Sequence, residues 1–534
     1  MHLALTRLAH PLTVALCAGL CACGPGDRPR TILVVSLDTS RADAVSFGDS
    51  EITPRLAQIA ARGTVFEQAV SGSSWTLPSH AQMFTGQPPG LHAVLDDDVA
   101  LDPNTPILPE LLSDAGFFTA GVYSGIYLAR QFGFDRGFDE YVNAIEGGAE
   151  LEAFFADQAR RGELAAGQAW NSFDIQSHRD ISSPRIVEQA SKLVKAARGE
   201  DLLLFTHFFD PHYDYVPPSP YAERFDGDYQ GDLTGEDFYT NPRIFDAEQR
   251  PLELPPRDLQ HIQALYLGEM AWTDEHVGQL FDVLRQNDRL DDAWIFVVGD
   301  HGEEFFEHGS WGHRATLYEE QLRIPFLVVP PVDAGYEPPR ICTTQITLSD
   351  LLPTILDALG LPPSEHAFGR SLIPELRGEA LPPRPALSSL RSRPITTLDT
   401  EQAAVEHVLV DSLRTPEEKL IRRVRVVEGA PTVEELRWYD LASDPFELRP
   451  VGDPEDTRVR AAYDRLESEY AQLNTFYDRL PHAADEARST VGQKWFSSQL
   501  EMLGYLDGDE GDDEGFSLTL PWGLRPLPPI PLDR

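Results

Sequence analysis

Lysine is almost missing from this chain. It occurs four times in 534 residues, at Lys192, Lys195, Lys419 and Lys494, so nearly all of the 44 basic residues are arginines. No position before 192 can therefore supply a catalytic amine. Cysteine is as scarce, with Cys17, Cys21 and Cys23 in the N-terminal segment and Cys342 alone beyond it. If that segment is processed, no intramolecular disulfide can form. Long apolar runs are missing too: Leu12 to Ala22 is too short to span a bilayer, and nothing after residue 22 is apolar for long enough. Positive charge is outweighed by 86 acidic residues, leaving a formal charge of -42. Such a polyanion is repelled by nucleic acid and by anionic membranes, so the expected partners are neutral, cationic or small.

What is present is enough apolar residue, 42%, to bury a large core over a length too great for one average domain. A large domain with a smaller partner is expected. At the N-terminus, Arg7 precedes the apolar run, which ends in Leu20-Cys-Ala-Cys23. This resembles a bacterial lipoprotein signal and implies removal of residues 1–22, a lipid on Cys23 and a flexible tether over 23–30. The implied location is the bacterial cell envelope, lipid-anchored at the outer membrane or facing the periplasm. Cleavage without lipidation, giving a secreted protein, is the alternative.

Apolar runs at Thr31–Leu37, Leu202–Phe209 and Ala293–Val298 read as buried parallel strands. They deliver Asp38, Asp210 with His212, and Asp300 with His301 at their C-terminal tips, where open α/β sheets place their sites. The periodicity predicts helices over Thr53–Arg62, Leu108–Ala115 and Leu265–Leu284, and short strands over Val65–Ala69 and Thr119–Tyr123. The stretch Ser71 to His80 is a small-residue loop in which Pro78 ends one element and Ser79 caps the next helix, placing Thr76 at a helix mouth. Polar stretches at 147–183 and 217–256 read as insertions that shape a substrate mouth rather than a core. A proline-rich run near 372–384 marks a domain boundary. Beyond it, Ala404–Val410, Lys419–Val427 and Glu435–Leu441 predict a small antiparallel sheet and Ala461–Leu473 a helix. The acidic run and proline-rich tail over 507–534 read as solvated.

Asp38, Asp300, His301, His308 and His313 are residue types that bind divalent cations through mixed oxygen and nitrogen donors. With the runs Ser36–Asp43, Ser71–Gly86, Arg136–Asp139, Phe209–His212, Gly299–Gly302, Trp311–His313, Arg323–Pro325, Asp350–Thr354 and Trp438–Pro445, the chain resembles the sulfatase branch of the alkaline phosphatase superfamily from about Arg30 to Leu506. The resemblance implies an α/β fold. A large, mostly parallel central sheet flanked by helices would occupy 31–375, with a smaller C-terminal α+β subdomain over 376–506. It implies a divalent metal held by Asp38, Thr76, Asp300 and His301, with Thr76 also the nucleophile. His212 and His313 become proton donors or oxygen-binding groups, and Asp210, His212 and His313 a possible second metal site.

The departures from the family are chemical. Sulfatases oxidise a Cys or Ser to formylglycine, and Thr76 cannot become that aldehyde, so no formylglycine is expected. His80 stands at the usual Arg position, Thr39 at the usual second Asp, and Ser124 to Tyr127 where a Gly-Lys-Trp-His run would sit. His301 replaces an Asn common in calcium sulfatases, which favours zinc or manganese over calcium or magnesium. The expected function is a metal-dependent hydrolase of small or glycan phosphate, phosphonate or sulfate esters, phosphate esters preferred. Open alternatives are a true sulfatase, a non-catalytic lipid-anchored binding protein, and a phosphoryl transferase.

Overall fold

Thr31–Leu37 is apolar or small throughout and entirely buried, as a central strand covered on both faces must be. The computed structural model describes residues 28–145 and 181–484, apart from positions 49 and 98 and the stretches 247–249, 338–340, 397–404 and 428–429, together with 488, 525, 526 and 530. The N-terminal signal and tether to residue 27, most of the insertion expected at 147–183 and most of the C-terminal tail lie outside the described residues.

Along the large domain the strands are β1 (Thr31–Leu37), β2 (Thr64–Phe66), β3 (Ala69–Val70), β4 (Phe118–Tyr123), β5 (Glu140–Asn143), β6 (Leu202–Phe208), β7 (Ala293–Gly299), β8 (Glu304–Phe305), β9 (Trp311–Gly312), β10 (Phe326–Val329), β11 (Ile341–Cys342) and β12 (Ile346–Thr347). Eight of them form one sheet in the order β11-β2-β10-β7-β1-β6-β4-β5. Only β10 runs antiparallel to its neighbours, so the sheet is mixed and mostly parallel, as expected. Alternate residues of β1 feed two cores: Ile32 and Val34 join Trp75 and Phe84 on one face, while Leu33, Val35 and Leu37 join Leu204 and Met270 on the other.

The main helices are α1 (Pro54–Ala60), α2 (Thr76–Thr85), α3 (Ser183–Ala196), α4 (Pro256–Gln286) and α5 (Thr457–Tyr477). α4 begins nine residues before the periodicity suggested, because its first turns carry Pro and charge rather than an apolar stripe. Its Asp274 reaches across to accept hydrogen bonds from the Arg55 and Leu56 amides at 2.9 and 2.8 Å, capping α1 from another helix. The 217–256 stretch corrects an expectation. Phe238 and Ile244 are fully buried and join the core beside Tyr215, so this insertion is itself part of the packing. No helix among the described residues is long and apolar enough to cross a membrane.

The C-terminal unit holds four antiparallel strands, β13 (Ala386–Thr396), β14 (Val405–Arg414), β15 (Glu418–Val427) and β16 (Ala430–Asp440), with α5 packed on them. β13 escaped the sequence reading because its serines and Pro394 hide the alternation. It matters for the site. Ser389 N donates to Gly72 O at 2.8 Å, Ser73 Oγ donates to Ser389 O at 2.8 Å, and Ser388 Oγ donates to Ser71 O at 2.7 Å. The small sheet thus holds the loop that leads to Thr76. A second tie is the fully buried Lys419, whose Nζ lies 3.2 Å from Glu319 and 2.9 Å from Glu447. Burial would push Glu319 up, but Lys419 and Arg414 outweigh it and hold this carboxyl at about 2.

Candidate active site

The parallel register sets Leu37 beside both Phe208 and Gly299, so the residues that follow these strands emerge together. Asp38 and Asp300 are neighbours for that reason. The chain turns sharply after Asp38, where Thr39 adopts a left-handed backbone (φ 46), uncommon for a β-branched residue, and its amide donates to Asp300 Oδ1 at 3.1 Å. Asp300 Oδ1 also accepts from the His301 amide at 2.7 Å.

Thr76 is the first residue of α2, after Trp75 in extended conformation. The loop does not end at Pro78, nor does Ser79 cap the helix. Pro78 sits inside the first turn, where its missing amide hydrogen costs no helical bond. Ser79 Oγ instead lies 3.0 Å from Ser71 Oγ and ties the loop to the helix. Thr76 is buried and set at the positive end of a ten-residue helix, so an anion forming at its hydroxyl is favoured there.

The two aspartates are each half satisfied. Asp38 Oδ2 lies 3.0 Å from His207 Nε2 and 3.5 Å from Thr76 Oγ1, while Asp38 Oδ1 and Asp300 Oδ2 are buried without a hydrogen-bond partner. Both orphan oxygens face His301 Nε2, at 3.6 and 3.5 Å, and Thr76 Oγ1 lies 3.4 Å from the same nitrogen. His301 Nδ1 donates to the Gly302 carbonyl at 2.9 Å, which leaves Nε2 with its lone pair in the neutral ring. Donors about 2.1 Å from a tetrahedral cation are about 3.4 Å apart. Three oxygens at about that distance from one imidazole nitrogen, two of them buried without a hydrogen-bond partner, fit a divalent metal.

The electrostatics agree. Burial, then the neighbouring carboxylates, pushes Asp38 and Asp300 well above the usual range, and burial pushes His301 well below its own. A bound cation reverses the first effect and needs the second, since it takes ionised carboxylates and neutral imidazoles.

His313 and His212 stand at the rim. The His313 ring centroid is 4.6 Å from that of His301 and 4.7 Å from that of His212. Asp210 does not join them. Its Oδ1 accepts from Ser182 N and Oγ, both at 2.7 Å, and its Oδ2 from Ser183 N and Trp272 Nε1, both at 3.0 Å. It is spent as the cap of α3, so Asp210, His212 and His313 form no ligand cluster among the described residues. His308 is likewise directed elsewhere, with Nδ1 at 2.7 Å from Glu320.

Four residues beside the site went unremarked or undervalued in the sequence. His207, from within β6, lies next to Ser36 in register, and burial lowers its pKa to about 3. His80 Nε2 meets Ser36 Oγ at 2.9 Å, and its Nδ1 donates to the Thr76 carbonyl at 2.9 Å, so it steadies the first turn of α2. Glu303 lies 2.9 Å from His313 Nδ1. Arg314 lays its guanidinium 3.8 Å from the Trp75 ring centroid and pairs with Asp97 at 2.9 Å, a cation beside the start of α2 in a lysine-poor chain. Only a histidine inside an otherwise apolar strand could have signalled His207; the others follow from cross-chain packing.

A family model described as Sulfatase matches residues 30–361. The human protein named arylsulfatase K is 24% identical over 487 residues, spanning 82% of this chain and 83% of that protein. Choline-sulfatase of Rhizobium meliloti (strain 1021) is 22% identical over 477 residues, 83% of this chain and 87% of that protein. Among solved structures, a phosphonate monoester hydrolase from Silicibacter pomeroyi superposes with a TM-score of 0.63 at 22% identity, covering 84% of this chain and 95% of that one.

Proposed function

The chain belongs to the sulfatase family and is an ester hydrolase, and from that premise we propose that Thr76 Oγ1 opens a phosphate, phosphonate or sulfate ester without formylglycine, phosphoryl esters being preferred. The observation that carries the reading is the convergence of Thr76 Oγ1 with Asp38, Asp300 and His301 Nε2 at the mouth of α2.

In the first step the Thr76 hydroxyl gives up its proton, with Asp38 Oδ2 at 3.5 Å as an acceptor, and attacks the phosphorus. The positive end of α2 favours the developing alkoxide. A divalent ion bound by Asp38, Asp300, His301 and Thr76 would make that hydroxyl easier to ionise and clamp an ester oxygen. The imidazole in the donor set favours zinc or manganese. His313 or His212 protonates the departing alkoxide, leaving a phosphothreonine. Water then attacks the phosphorus of that adduct, the same histidine takes its proton, and Thr76 Oγ1 leaves with the proton that Asp38 accepted in the first step.

The preference for phosphorus rests on threonine itself. A formylglycine hydrate sheds sulfate by eliminating it from carbon, which a threonine cannot do; a sulfothreonine would need a second attack at sulfur. Sulfate esters are the second reading, favoured by the names of the arylsulfatase and choline-sulfatase relatives. A cationic pocket within a chain of charge -42 also favours compact esters over large polyanions. The test is a panel of aryl sulfate, phosphate monoester, phosphate diester and phosphonate ester, each with zinc, manganese, calcium and magnesium. The highest kcat/KM is expected on a phosphoryl ester with zinc or manganese; an aryl sulfate turned over far faster than all three would overturn the preference.

The Leu20-Cys-Ala-Cys23 run supports a place at the bacterial envelope, held by a lipid on Cys23. Mass spectrometry of protein extracted from membranes is expected to show an acylated N-terminal Cys23 peptide. An unmodified one would return the protein to the secreted class.

A further inference from the structure

Glu303 and His313 flank the two-stranded ribbon of β8 and β9. Glu304 pairs with Gly312 in that ribbon, so the next position outward sets Glu303 against His313. Glu303 is completely buried, and its Oε1 accepts a hydrogen bond from His313 Nδ1 at 2.9 Å. Its Oε2 has no hydrogen-bond partner although it is buried. Gly312 allows the turn before His313: it has φ 78, and a Cβ there would come within 2.4 Å of Tyr239 Oη. Arg314, just beyond, is also left-handed, at φ 65. The chain is bent on both sides of His313 to present this one side chain to Glu303.

We propose that Glu303 is a positioning residue which holds His313 as a proton donor to the leaving group. The inference rests on the hydrolase reading above. By accepting from Nδ1, Glu303 fixes the tautomer and assigns proton exchange to Nε2. In the step itself, the bond from Thr76 Oγ1 to phosphorus forms as the bond to the leaving oxygen breaks. The electron pair of the broken bond stays on that oxygen, which takes the proton from His313 Nε2. The neutral ring keeps its Nδ1 proton against Glu303, and the water of the second step restores the Nε2 proton.

The test uses metal-loaded enzyme and two esters of the same acid, one releasing a nitrophenol and one a simple alcohol. A nitrophenolate leaves without a proton; an alkoxide needs one. Glu303→Ala is expected to lower kcat on the alkyl ester by about 100-fold with KM little changed, and to affect the nitrophenyl ester far less. Glu303→Gln keeps an oxygen acceptor for Nδ1, so it should show the same leaving-group dependence with a smaller loss. Metal content per chain should be unaltered. Equal losses on both esters, or loss of metal, would overturn the proposal, and if the Ala variant does not fold the nearly isosteric Gln decides. His313→Ala separates the two levels. Should it too lose activity equally on both esters, the donor role of His313 fails; should it show the leaving-group dependence while the Glu303 variants do not, only the role of Glu303 fails.

Discussion

Thr76→Ala is expected to reduce kcat/KM on the preferred ester by about 1000-fold or more, because the variant loses the atom that forms the covalent adduct in the proposed mechanism. Asp38, Asp300 and His301 remain, so at saturating metal the variant should still bind the ion. Thr76→Ser keeps a hydroxyl at the first residue of α2 and should stay within about tenfold of wild type. Quenching wild type during turnover should leave a phosphoryl adduct on the peptide that carries Thr76. An alanine variant within tenfold of wild type would show that water, not Thr76, attacks the ester. The measurement is decisive because the residue is buried and its hydroxyl lies within hydrogen-bond distance of Asp38 Oδ2 and His301 Nε2, the atoms of the proposed site.

Metal binding should stabilise the fold, and by more at higher pH. In the metal-free protein, burial first, and then repulsion from Glu303 on Asp38 and from Asp38 on Asp300, raises both pKa values well above their ordinary 3.8. Above that ordinary value the unfolded chain releases these two protons while the folded chain keeps them. The folded state then binds more protons, so stability falls as pH rises from about 4 toward the raised folded values. A bound cation favours the ionised carboxylates and removes this loss. At 100 times its dissociation constant, an ion that binds only the folded form adds about 2.7 kcal/mol. The gap in Tm between zinc-loaded and chelated protein should therefore widen between about pH 5 and pH 8. An equal gap at both pH values would mean that these carboxylates are not the ligands. Asp300→Asn should shrink the gap at the higher pH, since it removes one of the two titrating groups.

The strands that carry the site were legible because a parallel strand buried on both faces must be apolar along its whole length, and such runs are local. Asp38 after β1 and Asp300 after β7 could be located that way, and the Thr76 loop by its own run of small residues before Pro78. What could not be read locally was direction. Asp210 ends an equally clear strand, yet its carboxylate goes to the amides at the start of α3 and to Trp272, which lie 28 and 62 residues away. His207 looked like one more residue of an apolar strand until β6 was set beside β1, where it faces Asp38. β13 was invisible because its interior is serine-rich, yet it clamps the loop before Thr76 through bonds spanning more than 300 residues.

By itself, then, the sequence determined the chemistry that is excluded and the kinds of atom available: a threonine that cannot be oxidised to an aldehyde, almost no lysine, and acid–histidine pairs at strand tips. Side-chain identity is enough for that, since a threonine cannot become an aldehyde in any fold. The tertiary structure decided which of those atoms meet. It put two orphan carboxylate oxygens and a hydroxyl around His301, spent Asp210 on a helix, and set Glu303 against His313. Strand order and cross-strand register are fixed by pairings between distant segments, and a side chain's partner is chosen only once those segments have packed.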